Sequence, residues 1–300
     1  MRFEDLPQRL AGLPEGPWTQ WPSDVLAAQY NARATVHDFD AEMAAYVQHS
    51  ARMQALPQRR AALAYGAHAD EVLDLFPVHG HPEAPLMVFI HGGYWRALSV
   101  RESVFMAESL NAQGVAVASI NYTLAPEATL HQIVDQCARA VQWLHTHGHG
   151  VGVAPSHAVL AGSSAGAHLA AQLLAHDGAL QRSLPTHWLR AGVLVSGLFD
   201  LAPIAATTPN AWLQLSAADV QALSPVHHLP SADVALEVVV AETDTAAFKQ
   251  QSLDYLHACR ARGVRAHACE VAGRNHFNVI LDWMDPHSVL SQRTLAHLRG

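Results

Sequence analysis

Charge is scarce in this 300-residue chain, with only 15% of residues being Asp, Glu, Lys or Arg. Chains that remain unfolded are rich in charge and poor in apolar side chains; here half the residues are apolar, so disorder is excluded. Basic charge is scarcer still, 18 Lys plus Arg against 26 Asp plus Glu, giving a formal net charge of −8. Binding to a phosphate backbone runs on clustered basic charge, so a nucleic-acid partner is excluded. Cysteine is nearly absent. Cys137, Cys259 and Cys269 are too few and too scattered for a disulfide framework, and none lies in a C-x-x-C pair. Buried thiols in a reducing compartment are therefore expected. Long hydrophobic runs are missing too: Leu86 to Ile90 falls far short of the about 18 apolar residues that a membrane span needs. The opening MRFEDLPQRLAGLPEG carries acids and prolines where a secretory leader needs an apolar run. A cytoplasmic protein without a membrane partner is the expectation.

What is present is an alternation of short β-rich runs and amphipathic stretches. The first 60 residues hold no strand signal, and Pro7, Pro14, Pro17 and Pro22 keep the opening irregular. Ser23 or Asp24 can cap a helix through Arg33, and Asp38 to Leu56 reads as a second helix, so residues 1–60 form a helical extension. From residue 61 onward come eight strand-like runs: Ala61–Gly66, Glu71–Val78, Leu86–Ile90, Val115–Ile120, His157–Ala161, Arg190–Ser196, Leu236–Ala241 and Val264–Val271. Helical stretches fall at about Val100–Gln113, Leu130–His145, Ala165–His176, Ala246–Arg262 and Val289–Leu298. Continuous apolar strands such as LMVFI and LEVVV, separated by helices, predict an α/β fold with a mostly parallel eight-stranded sheet covered on both faces. One interval breaks the rhythm. Ser196 to Leu236 has four prolines and no clear strand, and reads as a small helical cap at about residues 198–234 of a domain spanning 61–300.

The sharpest chemical signal is Gly162-Ser163-Ser164-Ala165-Gly166, which follows the run His157–Ala161 and enters a helix. G-x-S-x-G between a strand and a helix is the nucleophile elbow of an α/β-hydrolase, in which the serine projects from a tight turn. With 17 serines and 18 glycines in the chain, chance gives about 0.06 such patterns before the context is required. The bland alternative is a glycine-rich turn whose serine only caps the helix. A second signal, His91-Gly92-Gly93-Tyr94-Trp95, directly follows LMVFI. Paired glycines at a strand end let backbone N–H groups converge where an oxyanion develops, and Ala165 after the serine supplies another N–H.

The serine needs a base, and the base needs a carboxylate to hold its tautomer. In this fold class the chain order is serine, acid, histidine. Asp244 follows the run Leu236–Ala241, and His276 lies in a loop after Gly273 beyond the last run, whereas His257, His267 and His297 fall on helices or in a strand. Asp200 is a rival acid that reads better as a helix cap, and Glu242 is a second rival. The tract His145-Thr146-His147-Gly148-His149 sits at a helix end without an acid, so neither a metal nor any other cofactor is expected. His168, one turn after Ser164, reads as a packed helix histidine.

Taken together, HGGYW, Asn121-Tyr122-Thr123-Leu124-Ala125-Pro126-Glu127 and GSSAGAHLA resemble the hormone-sensitive-lipase-like branch of the α/β-hydrolases. Within it the chain is similar to the metal-independent kynurenine formamidase (arylformamidase) family. SGLFDLAP at Ser196–Pro203, Leu223-Ser224-Pro225, ETDTAAFKQQS and NHF carry that resemblance, with Tyr65-Gly66 and Leu73-Asp74-Leu75-Phe76 upstream, covering about residue 25 to the C-terminus. The resemblance implies Ser164, Asp244 and His276 as a triad and Gly92, Gly93 and Ala165 as oxyanion donors. It departs at Ser163, where a histidine is frequent, and at Thr245-Ala246 in place of a proline after the acid. The implied reaction is hydrolysis of an N-formyl or other short-acyl aryl amide through an acyl-enzyme. A short-chain carboxylesterase is the alternative, and a non-catalytic binder that keeps the fold a remote one. Tyr94, Trp95, Trp212 and Phe277 are expected as aromatic substrate walls, since such walls favour flat apolar ligands. The partner implied is a small-molecule substrate, with a homodimer as the assembly to test.

Overall fold

Eight strands form where the apolar runs fall: β1 (Arg60–Ala64), β2 (Val72–Phe76), β3 (Leu86–Ile90), β4 (Ala116–Ile120), β5 (Ala158–Ser163), β6 (Leu189–Val195), β7 (Ala235–Ala241) and β8 (Arg265–Val271). They make one sheet in the order β1-β2-β4-β3-β5-β6-β7-β8. β1 with β2 and β2 with β4 are antiparallel, and the remaining pairs are parallel. The computed structural model describes residues 12–185 and 187–299. Residues 1–11, including Pro7 of the irregular opening, lie outside the described residues. Among those described, no helix is long and apolar enough to cross a membrane.

Every residue of β3, β4 and β5 is buried, which is why these strands read as unbroken apolar runs. Each large side chain in them contributes roughly 1.5–3 kcal/mol by leaving water. β1 is the solvent-facing edge strand and carries a bulge between Arg60 and Leu63. The bulge is fixed by Asp74 of β2, whose Oδ1 accepts from the Ala62 N–H at 2.9 Å and whose Oδ2 pairs with the Arg59 guanidinium at 2.6 Å.

Helices cover both faces. Leu130–His147, Ala165–Leu173 and Ala246–Ala261 contribute to one buried cluster, while Phe39–Gln54, Ala107–Ala112 and Val289–Arg299 contribute to the other. The helix expected over Val100–Gln113 divides into a 3-10 turn at Val100–Glu102 and a helix at Ala107–Ala112. The Ser99 hydroxyl caps the Arg101 N–H, and Asn121 Oδ1 accepts from the Val100 N–H, so side chains fix a turn there. The first N-terminal helix ends early, at Gln29, and continues as a 3-10 turn over Ala32–Thr35. Asp38 caps the second, accepting from the Ala41 N–H at 2.9 Å. Between β6 and β7 the chain forms three short helices, Ala202–Ala205, Asn210–Leu213 and Ala217–Leu223, and a 3-10 turn at Pro225–His227.

This topology positions a site. From β3 the chain steps to β4 on one side, then crosses to β5 on the other. Where the winding direction reverses, the loops leaving neighbouring strands part and open a crevice at their carboxyl ends. The two glycine-bearing segments, after β3 and after β5, both leave the sheet at that point, with Ile90 paired to Gly162.

Candidate active site

Ser164 stands at the end of β5 with φ 55° and ψ −119°, a conformation that ordinary residues avoid. Its N–H donates to the Val195 carbonyl at 2.8 Å and its carbonyl accepts from the His168 N–H at 3.1 Å, which holds the turn in place. The glycines around it are there because nothing larger fits. A methyl on Gly162 would strike the Gly166 carbonyl, and one on Gly166 would strike the carbonyls of Ile90 and His91. One on Gly92 would lie 2.8 Å from the Ser163 carbonyl oxygen and 3.3 Å from Ser164 Cβ. The loop after β3 therefore runs directly against the serine. Ala165 opens the following helix, and its N–H is one of those that no intrahelical carbonyl reaches.

That loop is under backbone strain. Gly93, Tyr94 and Trp95 all have positive φ, at 91°, 51° and 56°. Several contacts hold it there: Tyr94 Oη donates to the Tyr30 carbonyl at 2.6 Å, the Trp95 carbonyl accepts from the Ala125 N–H at 2.7 Å, and Tyr122 Oη donates to the carbonyls of His91 and Gly92. His91 stacks on the Tyr122 ring with centroids 4.2 Å apart and bonds the Gly92 carbonyl through Nδ1. Burial pushes the His91 imidazole down to about 4, so it is neutral in the folded protein.

His276 follows β8 and is 4% exposed. Its Nδ1 bonds Asp244 Oδ1 at 2.7 Å, and that carboxylate lies just beyond β7. The other carboxylate oxygen of Asp244, Oδ2, accepts from Ser196 Oγ at 2.6 Å and from the Ala241 N–H at 2.8 Å. The acid thus has three donors, of which the histidine is one. The rivals are occupied elsewhere. Asp200 Oδ1 accepts from the Ala202 N–H at 2.8 Å at the start of a short helix, and Glu242 Oε2 accepts from the Gly273 N–H at 2.6 Å, tying down the loop that carries His276. The structure brings Asp244 and His276 together by a direct bond and Ser164 beside Gly92 by close packing. Among the described residues no hydrogen bond joins Ser164 Oγ to His276, a contact that often closes only when substrate arrives.

The aromatic residues divide. Tyr94 is half-buried beside Tyr30. Trp212 donates its indole N–H to the Tyr94 carbonyl at 3.1 Å and carries the Arg96 guanidinium over its ring at 4.7 Å. Phe277 packs edge-on against His276 at 5.3 Å and Phe39 at 5.2 Å. Trp95 corrects the expectation of an aromatic wall there. Its positive φ turns the indole into the core, where it is 0% exposed and meets the His168 ring edge-on at 5.0 Å. His168 is wholly buried, pushed down to about 4 by burial, and its Nε2 bonds the Leu223 carbonyl at 2.7 Å. It ties the helix after Ser164 to the segment between β6 and β7. Of the histidine tract, His145 packs on Trp188 and His147 stacks on Trp143.

Sequence reasoning missed the residues that hold these loops. Ser196 ends a strand-like run and opens the SGLFDLAP stretch, and neither feature marks it as a donor to Asp244. The N-terminal extension touches all three loops: Tyr30 at Tyr94, Gln29 at Thr245 and Ala247, and Glu42 and Tyr46 at Asn275 and Phe277. No local pattern marks such residues, because their partners lie up to 233 positions away.

The BD-FAE family model matches residues 73–258. The kynurenine formamidase of Danio rerio is 31% identical over 295 residues, covering 93% of this chain and 97% of that protein. Among solved structures, a protein of Silicibacter sp. TM1040 assigned as a thioesterase superposes with a TM-score of 0.79 at 28% identity, over 92% of this chain and 99% of its own. A hyperthermophilic esterase of Pyrobaculum calidifontis shares the fold, with a TM-score of 0.71 at 20% identity over 96% of this chain and 99% of its own.

Proposed function

The chain belongs to the BD-FAE family and to the kynurenine formamidase group of α/β-hydrolases, and from that premise we propose that it hydrolyses short-acyl aryl amides, N-formylkynurenine first among them. The observations that support the mechanism are the Asp244–His276 bond beyond β7 and β8 and a serine held in a strained turn at the end of β5. In this reading Ser164 attacks the formyl carbon while His276 takes its proton, and Asp244 stabilises the imidazolium. Gly92, Gly93 and Ala165 offer their N–H groups to the tetrahedral oxyanion. His276 then protonates the leaving aryl amine, and water, activated by the same histidine, releases formate.

Likeness to the formamidase over nearly the whole chain supports the amide, and Tyr94, Trp212 and Phe277 around the loops suit a flat leaving group. A short-acyl ester or thioester hydrolase using the same groups is the second reading, favoured by the likeness to the Silicibacter protein. The two are separated by kcat/KM for N-formylkynurenine beside p-nitrophenyl acetate, butyrate and octanoate. The formamide is expected to exceed every ester, with octanoate the poorest. An enzyme that ignores the formamide and takes esters transfers the assignment to the second reading.

A further inference from the structure

A cavity of about 370 Å3 opens against Tyr30, whose ring meets Phe248, one of the rings packed on His276. Trp18, Trp21, Tyr30 and Phe199 give it aromatic walls, and Asp200 and Asp254 place two carboxylates in the same lining. Ser164, Asp244 and His276 do not line it. Among the described lining residues none is a lysine, arginine or histidine.

Both acids of its wall are hydrogen-bonded on one oxygen, Asp254 Oδ1 accepting from Gln250 Nε2 at 2.9 Å and Asp200 Oδ1 from the Ala202 N–H at 2.8 Å. Gln251 Nε2 donates to Tyr30 Oη at 2.9 Å and to the Asp200 carbonyl at 3.0 Å, and its Oε1 accepts from the N–H groups of Phe199 and Asp200. Four bonds from one amide thus fix the Tyr30 ring and the loop bearing Phe199 as a preformed wall. Partial burial raises the carboxyl of Asp254; its bond to Gln250 opposes this, the field of Asp200 adds a smaller push upward, and both acids act on the Tyr30 phenol. His257, one turn along the helix from Asp254, counters this in part but is not among the lining residues. Among the described lining residues the two carboxylates of this aromatic cavity meet no cationic side chain. A cation placed there meets both carboxylates and the negative faces of the rings.

We propose that this cavity binds an arylalkyl ammonium, its ring against Trp18, Trp21 and Phe199 and its ammonium at Asp200 and Asp254. The volume suits a small ligand of one aromatic ring with a short chain. The site is joined to the hydrolytic residues by a run of rings: Tyr30 lies 5.9 Å from Phe248, and Phe248 lies 4.7 Å from His276. Gln29, next to Tyr30, is the residue bonded to Thr245 beside Asp244.

Binding is measured on the full chain without turnover, so the result stands whether or not a formamide is the substrate. The probes are phenethylammonium, neutral 2-phenylethanol and anionic 3-phenylpropionate, titrated calorimetrically. The ammonium is expected to bind about tenfold or more tighter than the alcohol, and the carboxylate not to bind. Asp254→Asn keeps its bond to Gln250, and Asp200→Asn keeps the acceptor for the Ala202 N–H. Each is expected to fold with an unchanged Tm and to weaken ammonium binding about tenfold, and Trp21→Ala is expected to weaken all binding. Equal affinity for the three probes, or undiminished ammonium binding in a folded Asp254→Asn protein, overturns the proposal.

Discussion

Replacing Ser196 by alanine removes one hydroxyl from the acid that orients His276, and the structure lets its cost be worked out. Ser196 Oγ donates to Asp244 Oδ2 at 2.6 Å, with Ser196 at 0% and Asp244 at 7% exposure. A buried hydrogen bond to a charged acceptor contributes roughly 1.5–3 kcal/mol. Without it Oδ2 retains only the Ala241 N–H, and the carboxylate is less firmly held in the plane that meets His276 Nδ1. The substrate does not touch Ser196 in this account, so KM is expected to stay within twofold while kcat falls about tenfold or more. Steady-state kinetics at one pH and a thermal melt read kcat, KM and Tm. Unchanged kcat in the folded variant contradicts this expectation, and a loss of Tm with kinetics intact reduces Ser196 to a structural role.

The other expectations are brief. Ser164→Ala is expected to leave the melt unchanged and cut turnover by more than about a thousandfold; Asp244→Asn is expected to cripple the enzyme where Asp200→Asn leaves its rate nearly intact. Activity is expected to survive exhaustive dialysis against a chelator, because a serine activated by histidine needs no Lewis acid, and recovery only on adding zinc or manganese contradicts this. His91 and His168, both lowered to about 4 by burial, are neutral when folded and take up protons when unfolded. Their contribution is complete above about pH 6.5 and is lost as pH falls toward 4, by up to about 3 kcal/mol each. Urea midpoints are expected to drop across that window and to drop less in His168→Gln; a flat profile contradicts the assignment.

The sheet was legible because burial on both faces forces unbroken apolar runs, as LMVFI at β3 and LEVVV in β7 show. The elbow was legible for a steric reason: only glycine fits at 162 and 166, so the need for space is written as residue type. Asp244 and His276 followed from chain order and strand ends. Ser196 was not legible, since a serine ending a strand looks alike whether it bonds a carboxylate or water. Trp95 misled because nothing in HGGYW announces that the residue after Tyr94 takes a positive φ and turns inward. The grip of Glu42 and Tyr46 on the His276 loop depends on tertiary packing alone, and the division of Val100–Gln113 on side-chain bonds to Ser99 and Asn121.

Ser164 acts as the nucleophile in this mechanism, and covalent labelling puts that role to the test. The protein is incubated with an activated phosphonate, then weighed intact and mapped by peptide mass spectrometry while activity is followed in parallel. One adduct per chain is expected, on the peptide carrying Ser164, rising in step with the loss of activity and absent from Ser164→Ala. An adduct elsewhere that tracks the loss, or full activity in a protein labelled at Ser164, contradicts the account.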